Sequence, residues 1–390
     1  MQKVARPVLR TVESHAMSAG RERIVRSAQT IRAVACDGNA RRDSMRARKI
    51  IFVLIGYVAL PLSLLAQGRL QMASLGDFRL ENGQVIRDFR IGYRTFGALN
   101  AQKSNAVLFP TWFTGTTAEL KGAVGPGRMI DPSKYFVILV DAIGDGVTSS
   151  PSNSKLQPRM SFPRFTILDM VHAEHELATR VLKLRHLRAV MGVSMGGMQT
   201  FQWIVAYPNF MDKAIPIVGS PKLTSYDLLL WSAEEHAIEA DCNWKSGNYT
   251  SLPQAGMRTA ADIHTLNLTT PAYRVAHTTP QAFPHFLEST ELRTMRSFDA
   301  NDWIRQLQAM MAADVSKSFG GSMRKAAAAV RAQVLVVPAQ QDHMVNPAPA
   351  IAFAKLMHAK ILLLTSDCGH LSPGCEAGTL DRAVAQFLGP

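Results

Sequence analysis

The sequence predicts an α/β fold: a mostly parallel sheet with helices on both faces and a helical cap inserted into it. Three observations carry this. Between residues 75 and 220, short apolar runs bounded by turn residues alternate with segments of helical period. From 221 to 323 the alternation stops, and the chain is rich in helix formers, Met, Trp and His. From 324 to 390 the alternation resumes. Strands separated by helices pair in parallel, because each helix carries the chain back to the end of the sheet where the strand began. An all-helical stretch between two halves of one sheet reads as a cap over one end of it.

The elements follow in chain order. Phe78 to Gly97 alternates apolar and polar residues on either side of Asn82-Gly83, the signal for a β-hairpin. Residues 105–110 and 135–141 are short apolar runs and read as buried strands. Residues 165–184 carry apolar side chains at helical spacing. A strand over 186–193, a helix over 195–208 and a strand over 213–220 complete the first part of the core. After the cap come strands over 333–340 and 359–366, with helices over 348–357 and 378–388.

Charge separates the N-terminus from the rest. The formal net charge is +13, and residues 1–50 hold 12 Lys/Arg against 4 Asp/Glu. Beyond residue 66 no basic run is interleaved with aromatics, which argues against nucleic acid as a partner. Met45 to Lys49 is basic, and residues 50–66 are apolar throughout. Segment 45–66 therefore reads as a signal peptide, with an uncleaved membrane anchor as the rival. Residues 1–44 read as a disordered extension ahead of the true start at Met45. The expected location is outside the cytoplasm, periplasmic or secreted, with membrane contact only through residues 50–66. Of the four cysteines, Cys36 lies in the extension. Cys368 and Cys375 are spaced so that a bridge is permitted in an oxidising compartment. No Cys/His spacing suits zinc, and neither a metal nor a bound cofactor is expected.

The chemistry sits at Gly192-Val193-Ser194-Met195-Gly196, a G-x-S-x-G pattern between a strand and a helix. A strand-to-helix turn of this kind lifts the serine hydroxyl above the sheet, and the small residues Gly192 and Gly196 let strand and helix approach. A serine needs a base, and the base needs orienting. In chain order the candidates are Asp342, on the loop after the strand at 333–340, and His370, on the loop after the strand at 359–366. Both follow C-terminal strand ends, where an open α/β sheet builds its site. His343 shares the Asp342 loop and is expected at a polar rim. His172 and His175 fall on a helix and are expected to be solvated. Asp141 precedes the serine and is expected to be structural. The Met195 backbone N–H, and that of Phe113 on the loop 110–117, are the candidate oxyanion donors. Trp231, Trp244, Met257, Met310 and Met311 could line an acyl pocket, but at their spacing on helices packing is the favoured role.

The stretches 193–199, "VSMGGMQ", and 165–174, "FTILDMVHAE", resemble the homoserine O-acetyltransferase family of α/β-hydrolases. So do residues 80–100, 113–117 and 237–249. The resemblance spans roughly residues 75–390. It implies a triad of Ser194, Asp342 and His370, with oxyanion donors Phe113 and Met195, acyl transfer from acetyl-CoA to a hydroxyl, and a homodimer.

Two residues depart from the family pattern. Leu371 follows His370 where the acyltransferases carry Asp, and Ala261 stands where their cap carries Arg. Without those charges an amino-acid acceptor loses its charge-assisted contacts, and an exported enzyme would not meet acetyl-CoA. The expected function is therefore hydrolysis of a small-molecule ester or thioester through an acyl-enzyme on Ser194. The alternatives are an O-acetyltransferase and a non-catalytic binding protein.

Overall fold

The computed structural model describes residues 68–389. The extension 1–44, the segment 45–66 and Cys36 lie outside the described residues.

The chain opens with β1 (Gln71–Arg79) and β2 (Val85–Phe96), an antiparallel hairpin turning at Asn82-Gly83. Then come β3 (Ala106–Pro110), the short α1 (Thr117–Leu120), β4 (Phe136–Val140) and α2 (Ile167–Glu176). A π-helical turn over Leu177–Val181 continues α2, so the helical segment ends before residue 184. The centre of the sheet follows: β5 (Leu187–Val193), α3 (Met195–Ala206) and β6 (Met211–Ile217).

Five helices, α4 (Ser225–Glu239), α5 (Gln254–Leu268), α6 (Pro271–His277), α7 (Phe283–Ser297) and α8 (Ala300–Met311), leave the sheet and return to it. The chain closes with α9 (Met323–Ala329), β7 (Gln333–Val336), α10 (Pro347–Leu356), β8 (Lys360–Ile361), α11 (Ser372–Cys375) and α12 (Ala377–Leu388).

The strands lie in the order β1-β2-β4-β3-β5-β6-β7-β8. Pairing is antiparallel from β1 to β4 and parallel from β4 onward. The last strand is shorter than its apolar run, 359–366. Pro338 has no N–H to give to the ladder, so regular pairing breaks there. Leu362 and Leu364 still donate to Val336 O and Pro338 O at 3.0 and 2.9 Å.

Alternation along the strands sends side chains to two cores. Leu108, Ile138 and Val190 face Met198, Phe201 and Trp203 of α3. Val107, Phe109, Leu139 and Met191 face Leu380, Val384 and Leu388 of α12. Burying each such large side chain is worth about 1.5–3 kcal/mol. The carbonyl end of α12 is held by cations, as its dipole favours. Lys213 Nζ donates to Phe387 O and Leu388 O at 2.8 and 2.9 Å, and Arg188 Nη2 donates to Leu388 O at 2.7 Å.

Candidate active site

Ser194 joins β5 to α3 with φ 58° and ψ −121°, a conformation that L-residues rarely adopt. Local sterics show why small residues flank it. A Cβ on Gly192 would sit 2.2 Å from the Gly196 carbonyl oxygen, and one on Gly196 would sit 2.7 Å from the Pro110 oxygen. Only glycine lets α3 start this close to β5 and β3. The Ser194 N–H donates to Ile217 O at 2.9 Å, which ties the turn to the neighbouring strand. Such strain persists because the surrounding packing over-determines it.

The structure brings Ser194, His370 and Asp342 into one chain of hydrogen bonds. His370 Nε2 lies 2.8 Å from Ser194 Oγ, and His370 Nδ1 lies 2.7 Å from Asp342 Oδ2. Asp342 Oδ1 accepts from the N–H groups of Met344 and Val345 at 2.8 and 2.9 Å. The Asp342 side chain is fully buried and His370 nearly so. With three donors around one carboxylate, Asp342 fixes the imidazole so that Nδ1 carries the proton. Nε2 is then left as an acceptor towards the serine.

The supporting loops are tied to the cap. Asn346 donates from its backbone to Asp227 Oδ1 at 2.8 Å, while Asp227 Oδ2 accepts from Thr224 at the start of α4. The His370 loop is bridged by Cys368–Cys375. It is also held by Thr270 Oγ1 donating to Asp367 O at 2.6 Å, and by Glu376 Oε1 accepting from Thr365 and Ser366.

A cavity of about 620 Å³ opens over Ser194 and His370. Phe113, Trp112, Trp231, Met310 and Met344 give it a largely apolar wall, and Leu371 faces it. Of the side chains considered for an acyl pocket, Trp231 and Met310 line the cavity. Trp244 instead donates to Asn301 Oδ1, and Met257 is buried in the core. The N–H groups of Phe113 and Met195 find no acceptor among the described residues; Met195 is the first residue of α3, where such groups are orphaned.

The competing residues fall elsewhere. His343 is exposed. Asp141 is buried and accepts from Thr117 N–H and Oγ1 at 2.6 and 2.8 Å. His172 and His175 are not solvated as expected: they pack on Tyr207, with His172 Nδ1 2.7 Å from its hydroxyl and the His175 ring stacked on it at 3.9 Å. Burial lowers the pKa of both. Their helix is amphipathic with a wide buried face, and the histidines border it. Ala261 is buried in the cap, and Arg258 pairs with Glu291, so neither gives the cavity a charge. Sequence reasoning missed Gln199, Glu234 and Gln306, which touch or brace the loop after β3. Gln199 stood in a stretch already singled out, but the other two carry no local signal.

The model of the α/β hydrolase fold family matches residues 127–373. The chain belongs to the α/β-hydrolase family. It is 32% identical over 332 residues to an ethyl acetate hydrolase of Pseudomonas veronii, covering 82% of this chain and 95% of that protein. It is 31% identical to a homoserine O-acetyltransferase of Caulobacter vibrioides, covering 80% and 91%. Among solved structures, the acetyl esterase MekB superposes with a TM-score of 0.78 at 30% identity, over 83% of this chain and 97% of that one. This α/β-hydrolase is an enzyme, a hydrolase or acyltransferase.

The expected export is corrected by the same comparison. The relatives are named as esterases and homoserine O-acetyltransferases, and those names carry no support for export. Among the described residues no helix is long and apolar enough to cross a membrane. The expectation of export rested on the basic segment 45–49 and the apolar run 50–66 that follows it. With that expectation gone, the argument that the enzyme never meets acetyl-CoA also falls, and the choice of acceptor rests on the cavity's own residues.

Proposed function

We propose that this α/β-hydrolase hydrolyses small acyl esters through an acyl-enzyme on Ser194. The observation that carries the proposal is the hydrogen-bonded chain Ser194–His370–Asp342 at the floor of a largely apolar cavity. In this reading Ser194 Oγ attacks the ester carbonyl while His370 Nε2 takes its proton. The developing oxyanion is met by the Phe113 and Met195 N–H groups. His370 then returns the proton to the departing alcohol. Water then attacks the acyl carbonyl as the same nitrogen takes its proton, and that proton passes to Ser194 Oγ as the bond to the serine breaks and the acid leaves.

Water is favoured as acceptor by what stands beside His370. Leu371, 44% exposed, puts an apolar side chain beside His370. A carboxylate there would hold an acceptor's ammonium. The relatives named as an ethyl acetate hydrolase and an acetyl esterase support the same reading. The transferase reading draws on the relative named as a homoserine O-acetyltransferase.

The deciding experiment measures acetate release from p-nitrophenyl acetate, with and without L-homoserine, using Ser194→Ala as the blank. The expected result is turnover that homoserine does not accelerate. Strong acceleration with acetylated homoserine as product would replace hydrolysis by transfer.

A further inference from the structure

The loop 111–117 carries the Phe113 N–H, and its anchors are unevenly distributed. At its start, Thr111 N–H donates to Val140 O at 3.0 Å, and Thr111 Oγ1 accepts from Ala142 at 3.0 Å. Gln199 Nε2 donates to Thr111 O at 3.1 Å. At its end, Asp141 holds Thr117. Both ends are therefore fixed by the sheet and its first helices.

The middle is fixed by the cap. Thr114 N–H donates to Gln306 Oε1 of α8 at 2.9 Å. The Phe113 ring meets Trp303 of α8 edge-on at 4.9 Å and His264 of α5 at 5.6 Å. Thr114 has φ 60°, which a β-branched residue adopts only under constraint.

Two buried polar side chains hold these contacts in place. Gln306 is 1% exposed, and its Nε2 donates to Ile143 O at 3.0 Å, so both ends of the amide are satisfied in one orientation only. Glu234 of α4 has no exposed surface. Its Oε2 accepts from Trp303 Nε1 at 3.2 Å, and its Oε1 lies 3.2 Å from His264 Nδ1. One carboxylate thus orients both rings that flank Phe113. A carboxylate buried this completely is costly unless its hydrogen bonds are met, and among the described residues those two rings meet them.

We propose that Gln306 and Glu234 are positioning residues for the oxyanion donor, so that cap helices α4, α5 and α8 set the geometry of the transition-state site. The proposal rests on the reading of Ser194 as nucleophile and Phe113 N–H as oxyanion donor. A donor helps only if held within hydrogen-bond distance of the oxyanion, and a small swing of the loop removes that bond from the transition state but not from the bound ester. The cap therefore acts on kcat as well as on substrate choice.

The test uses the full chain with p-nitrophenyl acetate. It also measures inhibition by phenylboronic acid, which forms a tetrahedral adduct with a reactive serine. Gln306→Leu removes the acceptor for Thr114 N–H. It should lower kcat about 10- to 100-fold, within the range for loss of an oxyanion contact. KM should hold within about threefold, and boronate affinity should fall in step with kcat. Gln306→Glu keeps the acceptor for Thr114 N–H but loses the donor to Ile143 O, and should recover only part of kcat.

Trp303→Phe keeps a ring against Phe113 but loses the bond to Glu234, and should lower kcat by about 3- to 10-fold with KM held. Unchanged kcat in Gln306→Leu, or a loss confined to KM with boronate affinity intact, overturns the proposal. If Gln306→Leu fails to fold, unchanged kcat in Trp303→Phe overturns it alone. Turnover that survives in Ser194→Ala instead overturns the underlying assignment of the nucleophile, a separate outcome.

Discussion

Replacing Asp342 by Asn changes one atom in the site, and the hydrogen bonds around it dictate the consequence. Asp342 Oδ1 accepts two backbone N–H groups, at 2.8 and 2.9 Å. Those donors require an oxygen, so the amide oxygen of Asn takes that place and its NH₂ group turns to His370. His370 Nδ1, 2.7 Å away in the parent, must then accept rather than donate. Its proton moves to Nε2, which points at Ser194 Oγ 2.8 Å away and can no longer take the serine's proton. Wrong-tautomer substitutions of this type in serine triads cost about 10⁴-fold in kcat, equivalent to about 5 kcal/mol of barrier. The assay is p-nitrophenyl acetate turnover in Asp342→Asn against the Ser194→Ala blank, with melting temperature as the check on folding. A folded variant that loses less than about tenfold would refute the reasoning, because the base would then be held by something other than Asp342.

Two further outcomes are expected. Gly192→Ala should leave the protein largely insoluble, or lower its melting temperature by many degrees. Its Cβ would sit 2.2 Å from a backbone oxygen that cannot move without shifting α3; a soluble variant of parental stability would contradict the packing described for β5 and α3. Glu174→Gln concerns pH-dependent stability. Burial pushes the Glu174 carboxyl from 4.5 up to about 8, against a smaller lowering by Trp203 Nε1. The folded form therefore keeps its proton where the unfolded chain has lost it. Stability is fully present below about pH 4.5 and falls as pH rises to about 8, at up to roughly 1.4 kcal/mol per pH unit. Gln keeps an acceptor for Trp203 and does not titrate. Urea unfolding should show the variant gaining on the parent from pH 5 to pH 8, and parallel curves would rule out the buried proton.

Local chemistry explains what could be read without coordinates. The turn at Ser194 needs glycine at 192 and 196 because backbone oxygens occupy the space a Cβ would take, and that need is written in the residues themselves. Asp342 and His370 were legible because each follows an apolar run at a strand's carboxyl end, and parallel crossover topology gathers such ends at one edge. The short ladder at β8 was not legible from its apolar run, since the break comes from Pro338 on the neighbouring strand. His172 and His175 were misplaced for a related reason. A helical period shows which face is apolar but not how wide the covering element is, and Tyr207 extends the cover over both rings.

The cap marks where sequence reading stops. Gln306 reaches Thr114 across 192 residues, and Glu234 meets His264 and Trp303 across 30 and 69. Period and turn signals describe neighbours along the chain, and no such signal says which side chain of one helix will meet a loop joined to another part of the sheet. The pairing becomes visible only through what it satisfies: a loop N–H, a buried amide with two ends, a carboxylate with no exposed surface. Each of these groups would be costly alone. Together they close into one network from α4 through α8 to Phe113, and the residue that network holds still is the one whose N–H would face the oxyanion. A cap that served only to cover the cavity would have no need of a buried carboxylate behind the rings that grip that loop.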